Sequence, residues 1–179
     1  TTKTNVQHIN FNPARNVVFT ICWFLDQPIF MGFARQVLQK KISPITSVTF
    51  HAHLPLLACS RFHAVDFYNL TTHPPSLQNV LKEDHAAEVC YVCFHPNKPL
   101  LATVSGDNTS IIYDISTSPP LIQQRLQYHR GGVACAVFQA NVPLFATSSL
   151  DSTVILYDLT TVPATIQHHF KDHKGPVFS

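Results

Sequence analysis

Two groups of residues in this chain have the makings of a hydrolytic centre. His85, Ser105 and Asp107 are followed 44 residues later by His129, Ser149 and Asp151. A serine becomes a nucleophile when a histidine takes its proton and a carboxylate orients that histidine, so the trio invites an enzymatic reading. Its recurrence argues against one. A nucleophilic site occurs once in a chain, whereas a device that stabilises structure is needed in every copy of a repeated unit. Buried polar groups require partners, and a closed network supplies them while fixing one geometry. The two groups are therefore read as structural, and no catalytic residue is assigned.

The other reactive clusters resolve in the same direction. His168, His169 and His173 offer three imidazoles in six residues, enough for a metal by number. Yet His168 and His169 are adjacent on an expected strand and so face opposite ways, and His173 belongs to the 44-residue series. No metal is assigned. Cys90 and Cys93 have the spacing of a zinc or redox pair, but three residues apart on a regular strand they too would face opposite ways, as two core thiols. Phosphate-binding loops of the Walker or dinucleotide type are absent, and no nucleotide or other cofactor is implied. The 12 Lys and Arg residues are scattered and the net charge is +2, with no basic-aromatic interleaving, which argues against nucleic acid as a direct partner.

These residues must be positioned by a repeated element. Pro99 to Asp114, PLLATVSGDNTSIIYD, is echoed by Pro143 to Asp158, PLFATSSLDSTVILYD. An apolar run, a polar corner and a second apolar run describe two antiparallel strands and their turn. The step of 44 also separates Ile45, Val89, Val133 and Val177, then His85, His129 and His173, Phe50, Phe94 and Phe138, and Pro55, Pro99 and Pro143. A period of this length lies in the range of four-stranded propeller blades.

On His129, Ser149, Asp151, Tyr157 and Asp158, and on His85, Ser105, Asp107, Tyr113 and Asp114 one unit earlier, the chain resembles the WD-repeat β-propeller family. The resemblance implies that the His before a blade's first strand, the Ser ending its second, the Asp of the next corner and an aromatic residue of its third form one hydrogen-bonded chain. Here Tyr113 and Tyr157 stand where the family has tryptophan. It further implies an all-β fold of four-stranded antiparallel blades, with about four blades and the start of a fifth in this chain, part of a larger ring.

In that frame residues 1–42 are a degenerate blade, 43–86 a blade without the polar set, 87–130 and 131–174 two WD-like blades, and 175–179 the opening of a further one. The second unit carries the corner Ser60-Arg61-Phe62-His63, Tyr68-Asn69 in place of Tyr-Asp, and Lys41 in place of the histidine. The run Val89 to Phe94 is apolar on both faces, with Val89, Tyr91 and Cys93 on one side and Cys90, Val92 and Phe94 on the other, as in a sandwiched strand. The Pro-containing connections at Pro74, Pro119 and Pro163 are expected on one face.

Charged residues are 12% of the chain and apolar ones 45%, against about 25% charged in a usual domain. Much surface must then be covered, which suits a subunit of an assembly. Five Cys residues, without the density of a secreted scaffold, fit a reducing compartment and no disulfide. With no signal-peptide pattern and no apolar run of membrane-spanning length, the chain reads as soluble and intracellular, cytoplasmic or nuclear, with no membrane insertion. The resemblance implies a non-catalytic scaffold for other proteins in a multisubunit complex. Its docking face would carry Phe62, His63, Glu88, Arg130 and Leu150. A second reading is a substrate receptor that holds a short peptide for modification machinery.

Overall fold

A computed structural model of the protein describes residues 45–179, so the degenerate blade expected at 1–42, Cys22 and Lys41 lie outside the described residues. Twelve strands follow one another: β1 Ile45–Phe50, β2 Leu56–Arg61, β3 Ala64–Asn69, β4 Ser76–Lys82, β5 Val89–Phe94, β6 Leu100–Ser105, β7 Ser110–Asp114, β8 Leu121–Leu126, β9 Val133–Phe138, β10 Leu144–Ser149, β11 Val154–Asp158 and β12 Thr165–Phe170. They form three antiparallel four-stranded sheets, β1 to β4, β5 to β8 and β9 to β12, each meandering in chain order. Among the described residues no helix is long and apolar enough to cross a membrane.

The sheets are blades packed face to face, with the first strands β1, β5 and β9 in contact in turn. Ala58, Val65, Phe67 and Leu81 of the first sheet share a buried cluster with Val89, Val92, Phe94, Leu101, Ile111 and Tyr113 of the second. On its other face the second sheet offers Ala102, Val104, Ile112 and Leu126 to Val133, Ala136, Phe138, Phe145, Ile155 and Tyr157 of the third. Each fully buried aliphatic or Phe side chain there is worth about 1.5–3 kcal/mol of transfer free energy. No blade could bury both faces alone, which is why the repeats stack.

Each of the three described blades slips register at the same two places. The first strand skips one residue against the second between Ile45 and Ser47, between Val89 and Tyr91, and between Val133 and Cys135. The third strand slips against the fourth at Tyr68, Tyr113 and Tyr157. The first of these bulges overturns the strict alternation expected for Val89 to Phe94. Val89 is buried in the same cluster as Val92 and Phe94, while Cys90, Tyr91 and Cys93 pack against the cluster on the other side. An extra residue in a strand reverses the phase of all that follow it. Cys90 and Cys93 therefore do not face opposite ways, and both are free thiols, as is Cys135.

The loops at Pro74, Pro119 and Pro163 each join a third strand to a fourth, and each proline follows a cis peptide bond. In a meander this puts them at the end of the blades opposite the second-to-third-strand corners. Residues 175–179 form no strand. The Val177 N–H nevertheless donates to the Ser149 carbonyl at 3.0 Å, beside the third blade's corner.

Candidate functional site

The corner of each later blade is built around one carboxylate. Asp107 follows β6, where its own N–H donates to Ser105 Oγ at 3.1 Å. Its Oδ1 accepts the Thr109 N–H at 2.9 Å and the Thr109 hydroxyl at 2.6 Å. Its Oδ2 accepts the Ala86 N–H at 2.8 Å and lies 3.1 Å from His85 Nδ1. Asp151 repeats the arrangement with Thr153, the Arg130 N–H at 2.8 Å and His129 Nδ1 at 3.0 Å. A short side chain that accepts two residues along its own backbone closes such a turn locally. The residues after it, Asn108 and Ser152, take up positive φ of 70° and 68°.

The histidines complete the set with a partner that differs from the expected one. His85 Nε2 meets Thr103 Oγ1 at 2.7 Å and His129 Nε2 meets Thr147 Oγ1 at 2.8 Å. Ser105 and Ser149, expected in that place, bond instead to the backbone of Asp107 and Asp151. The reason is geometric, since Thr103 and Thr147 lie two residues earlier on the same strand face, deeper between the sheets. A carboxylate can only accept, so Nδ1 carries the proton in the neutral ring and Nε2 accepts the threonine O–H. The same threonines lie beside the phenols of Tyr113 and Tyr157. The signal that would have found them is present, because Thr103 and Thr147, like Thr109 and Thr153, are 44 residues apart.

Electrostatics follow from these contacts. Burial pushes His85 down from the ordinary imidazole range, against the pull of Asp107. Burial works against ionisation of Asp151 too, but the hydrogen bonds from Thr153, the Arg130 backbone and His129 outweigh it and hold the carboxyl well below the usual range. Asp107 is lowered by the equivalent donors against the same burial. Burial, reinforced by Tyr128 and Asp151 and opposed by Thr147, pushes the Tyr157 phenol up to about 12. Chemically, Thr–His–Asp is an arrangement that could activate a hydroxyl. Thr103 and Thr147 are 0% and 1% exposed, so neither hydroxyl can meet a substrate where it stands.

The blade of residues 45–82 solves the same corner with an ion pair. Arg61 Nε and Nη2 donate to Asp66 Oδ2 and Oδ1 at 3.0 and 3.3 Å, and Asp66 is 1% exposed. A forked guanidinium satisfies both oxygens of a buried carboxylate. Asn69, where the other units have Asp114 and Asp158, does the same work: each side chain accepts the N–H two residues on at 2.8 Å. In the blade of residues 89–126 the Tyr113 hydroxyl donates to Asp84 Oδ2 at 3.1 Å, a partner the residue pattern had not suggested.

The five residues assigned to a docking face lie along one rim. Phe62 and His63 form the β2–β3 corner, their rings edge to face at 4.6 Å. Glu88 and Arg130 precede β5 and β9, and Leu150 sits in the β10–β11 corner. Phe62 and Leu150 are 50% and 47% exposed, His63 and Arg130 are exposed, and Glu88 is half-buried. Backbone bonds hold the rim in place, from Val89 N–H to the Phe62 carbonyl at 2.9 Å, from Gly106 N–H to the Glu88 carbonyl at 3.0 Å and from Leu150 N–H to the Gly132 carbonyl at 2.9 Å. Gly132 brings two corners together, since a Cβ there would come within 3.2 Å of Gly106 Cα.

Stacked four-stranded meanders with a bulged first strand and a His–Asp corner define a β-propeller blade array. The family model for the WD domain, G-beta repeat, matches residues 76–114 and 121–158, and these stretches are WD repeats of the β-propeller type. Solved structures agree on the fold. A chain of the "Crystal Structure of Mitotic Checkpoint Complex" matches at 18% identity and a TM-score of 0.66, over 75% of this chain and 39% of its own. Saccharomyces cerevisiae Sqt1 matches at 14% and 0.67, over 76% of this chain and 37% of its own. The RRP9 WD40 repeats match at 12% and 0.68, over 76% and 41%. The chain thus spans about two fifths of the length of each of these structures. No curated protein sequence matches it.

Proposed function

We propose that this chain is a non-catalytic scaffold that docks other proteins through the rim carrying Phe62, His63, Glu88, Arg130 and Leu150, as a subunit of a larger assembly. WD40 repeats generally mediate protein–protein contacts in complexes. The observation that carries the proposal is the exposure of an aromatic ring and a leucine, Phe62 and Leu150, on corners with fixed backbones: the Phe62 carbonyl is bonded to Val89 of the next blade, and the Leu150 N–H to Gly132 at the start of its own. Aromatic and arginine side chains on a rigid support lose little entropy on binding and dominate interface energies. The Thr103 and Thr147 hydroxyls held by the imidazole Nε2 atoms are sealed between sheets, which supports a structural use.

Affinity purification of the full chain, followed by identification of what co-purifies, tests the reading. Phe62→Ala and Arg130→Glu should each lower recovery of the partner at least fivefold while leaving the thermal midpoint unchanged. An equal loss from changes at Pro74 or Pro119, on the opposite end of the blades, would remove the rim from the account.

A further inference from the structure

One crevice between blades lacks a group that its counterpart contains. The loop before each first strand holds Asp84, Tyr128 and Asp172 at a step of 44 residues. Between the first and second sheets, the Asp84 carboxylate accepts the Tyr113 hydroxyl at 3.1 Å, and Arg125 Nη1 donates to the Asp84 carbonyl at 2.7 Å. Between the second and third sheets, Tyr157 takes the place of Tyr113. His169 takes that of Arg125, pairing with Ile155 as Arg125 pairs with Ile111. Tyr128 stands where the carboxylate should be.

The substitution leaves polar groups under-used. His169 Nε2 is buried and has no hydrogen-bond partner, a state that costs a folded protein free energy and is seldom kept without use. The Tyr128 ring is tilted against the buried Tyr157 at 5.9 Å and is itself 47% exposed, so an outward turn of that ring would open the space beside the Tyr157 hydroxyl and His169 Nε2 to solvent. Its charged neighbours are the cations Lys171 and Arg130 and the carboxylate of Asp151. Burial and then Lys171 and His129 push His169 down, Asp151 opposes them, and Arg130 adds to the lowering. The one acidic neighbour, Asp151, is already engaged by Thr153, His129 and the Arg130 backbone.

We propose that the crevice beside Tyr128 binds the carboxylate of an Asp or Glu side chain presented by a partner protein, with the Tyr157 hydroxyl and the His169 ring as its donors and Arg130 at its mouth. The guest carboxylate takes the position that Asp84 fills in the neighbouring crevice. A charge-assisted bond to a phenol and an imidazole is short and strong, and the cationic surroundings favour an anion over a neutral amide. A protein side chain fits the geometry because Asp84 itself enters from a loop at the blade rim rather than from a closed cavity. The proposal deepens the docking reading above and rests on it for the identity of the partner.

The test needs only the crevice. N-acetyl-aspartyl amide and N-acetyl-asparaginyl amide are titrated into the full chain while the His169 ring resonances are followed. The aspartyl compound should shift them saturably and bind at least tenfold tighter than the asparaginyl one. Tyr128→Asp should place a carboxylate in the site from within, raise the thermal midpoint and abolish the response. His169→Ala should weaken binding at least tenfold, read by the Tyr128 ring resonances. Equal binding of the two amides, or undiminished binding to the Tyr128→Asp variant, would overturn the proposal. Either result would leave the rim reading intact, because that reading is judged by Phe62 and Arg130 with a whole partner.

Discussion

At the scale of single residues, the corner sets divide into groups that are irreplaceable and groups that only assist. Thr103 donates to a buried imidazole nitrogen, so Thr103→Val keeps the shape and strands His85 Nε2; the expected loss is about 1–3 kcal/mol of unfolding free energy. Ser105→Ala removes one acceptor from the Asp107 N–H, beside an exposed Gly106, and should cost less, at about 0.5–1.5 kcal/mol. Denaturant midpoints of the two variants decide the order, and a reversed order would return the serine to the centre of the set. Arg61→Ala removes the fork from the 1%-exposed Asp66 carboxylate and should cost about 1–3 kcal/mol. Acid should act through the same groups. His85 is pushed down in the folded chain, so the unfolded chain takes the proton first. Its contribution is complete above the unfolded value of about 6.5 and is lost as pH falls through the folded one. Asp107 and Asp151, also pushed down, add a second loss below about pH 4 by the same sign. Between about pH 7.5 and pH 5.5 the parent should lose more stability than a His85→Gln variant, and equal losses would exclude His85 as a source.

At the scale of the element, each blade is a meander whose strands were legible because apolar runs, Pro-containing loops and polar corners repeat at one step. The run Val89 to Phe94, expected as a sandwiched strand, is β5. The bulges were not legible. A slip at Cys90 depends on how one ladder meets the next, and the run Val-Cys-Tyr-Val-Cys-Phe is apolar in either phase, so no side chain type marks the reversal. The threonines were hidden for a different reason: Thr103 and Thr147 sit inside β6 and β10 and look like ordinary strand formers, whereas Ser105 and Ser149 stand at the corner where polar residues draw the eye. Arg61 and Asp66 lie at opposite ends of a turn with no repeat to flag them. The corners carry a backbone requirement that is testable at one position. Ser152 holds φ of 68°, where a Cβ is disfavoured and glycine is not. Ser152→Gly should therefore stabilise the third blade by a few tenths of a kcal/mol, roughly the αL relief less the entropy glycine gains on unfolding. Gly131→Ala should do the reverse, because its Cβ would lie 2.9 Å from the Asp151 N. Thermal midpoints that move the other way in both variants would contradict the backbone account.

At the scale of the whole molecule, the sequence repeat and the structural blade are out of step, and the offset couples the blades. Each matched stretch begins on the outer strand of one sheet, β4 or β8, and ends on the third strand of the next, β7 or β11. Side chains reinforce the coupling across sheets: Thr46 Oγ1 donates to the Val89 carbonyl, Asn97 Nδ2 donates to the Ala140 carbonyl at 3.0 Å, and Gln124 Oε1 accepts the Ala164 N–H at 2.8 Å. In a stacked array stability is close to a sum of unit and nearest-neighbour terms, so damage at one interface should spread to both sheets that share it and weaken with distance. Phe145 tests this, being 0% exposed and part of the cluster that joins the second and third sheets. Phe145→Ala should cost about 3–5 kcal/mol. Hydrogen exchange should then quicken in residues 89–126 as well as in 133–170, and least in 45–82, which the cluster does not include. Faster exchange confined to 133–170 would mean that the blades open one at a time and that the strand offset carries no coupling. Uniform quickening through 45–170 would mean instead that the three sheets unfold as a single unit, with the nearest-neighbour description too local for this chain.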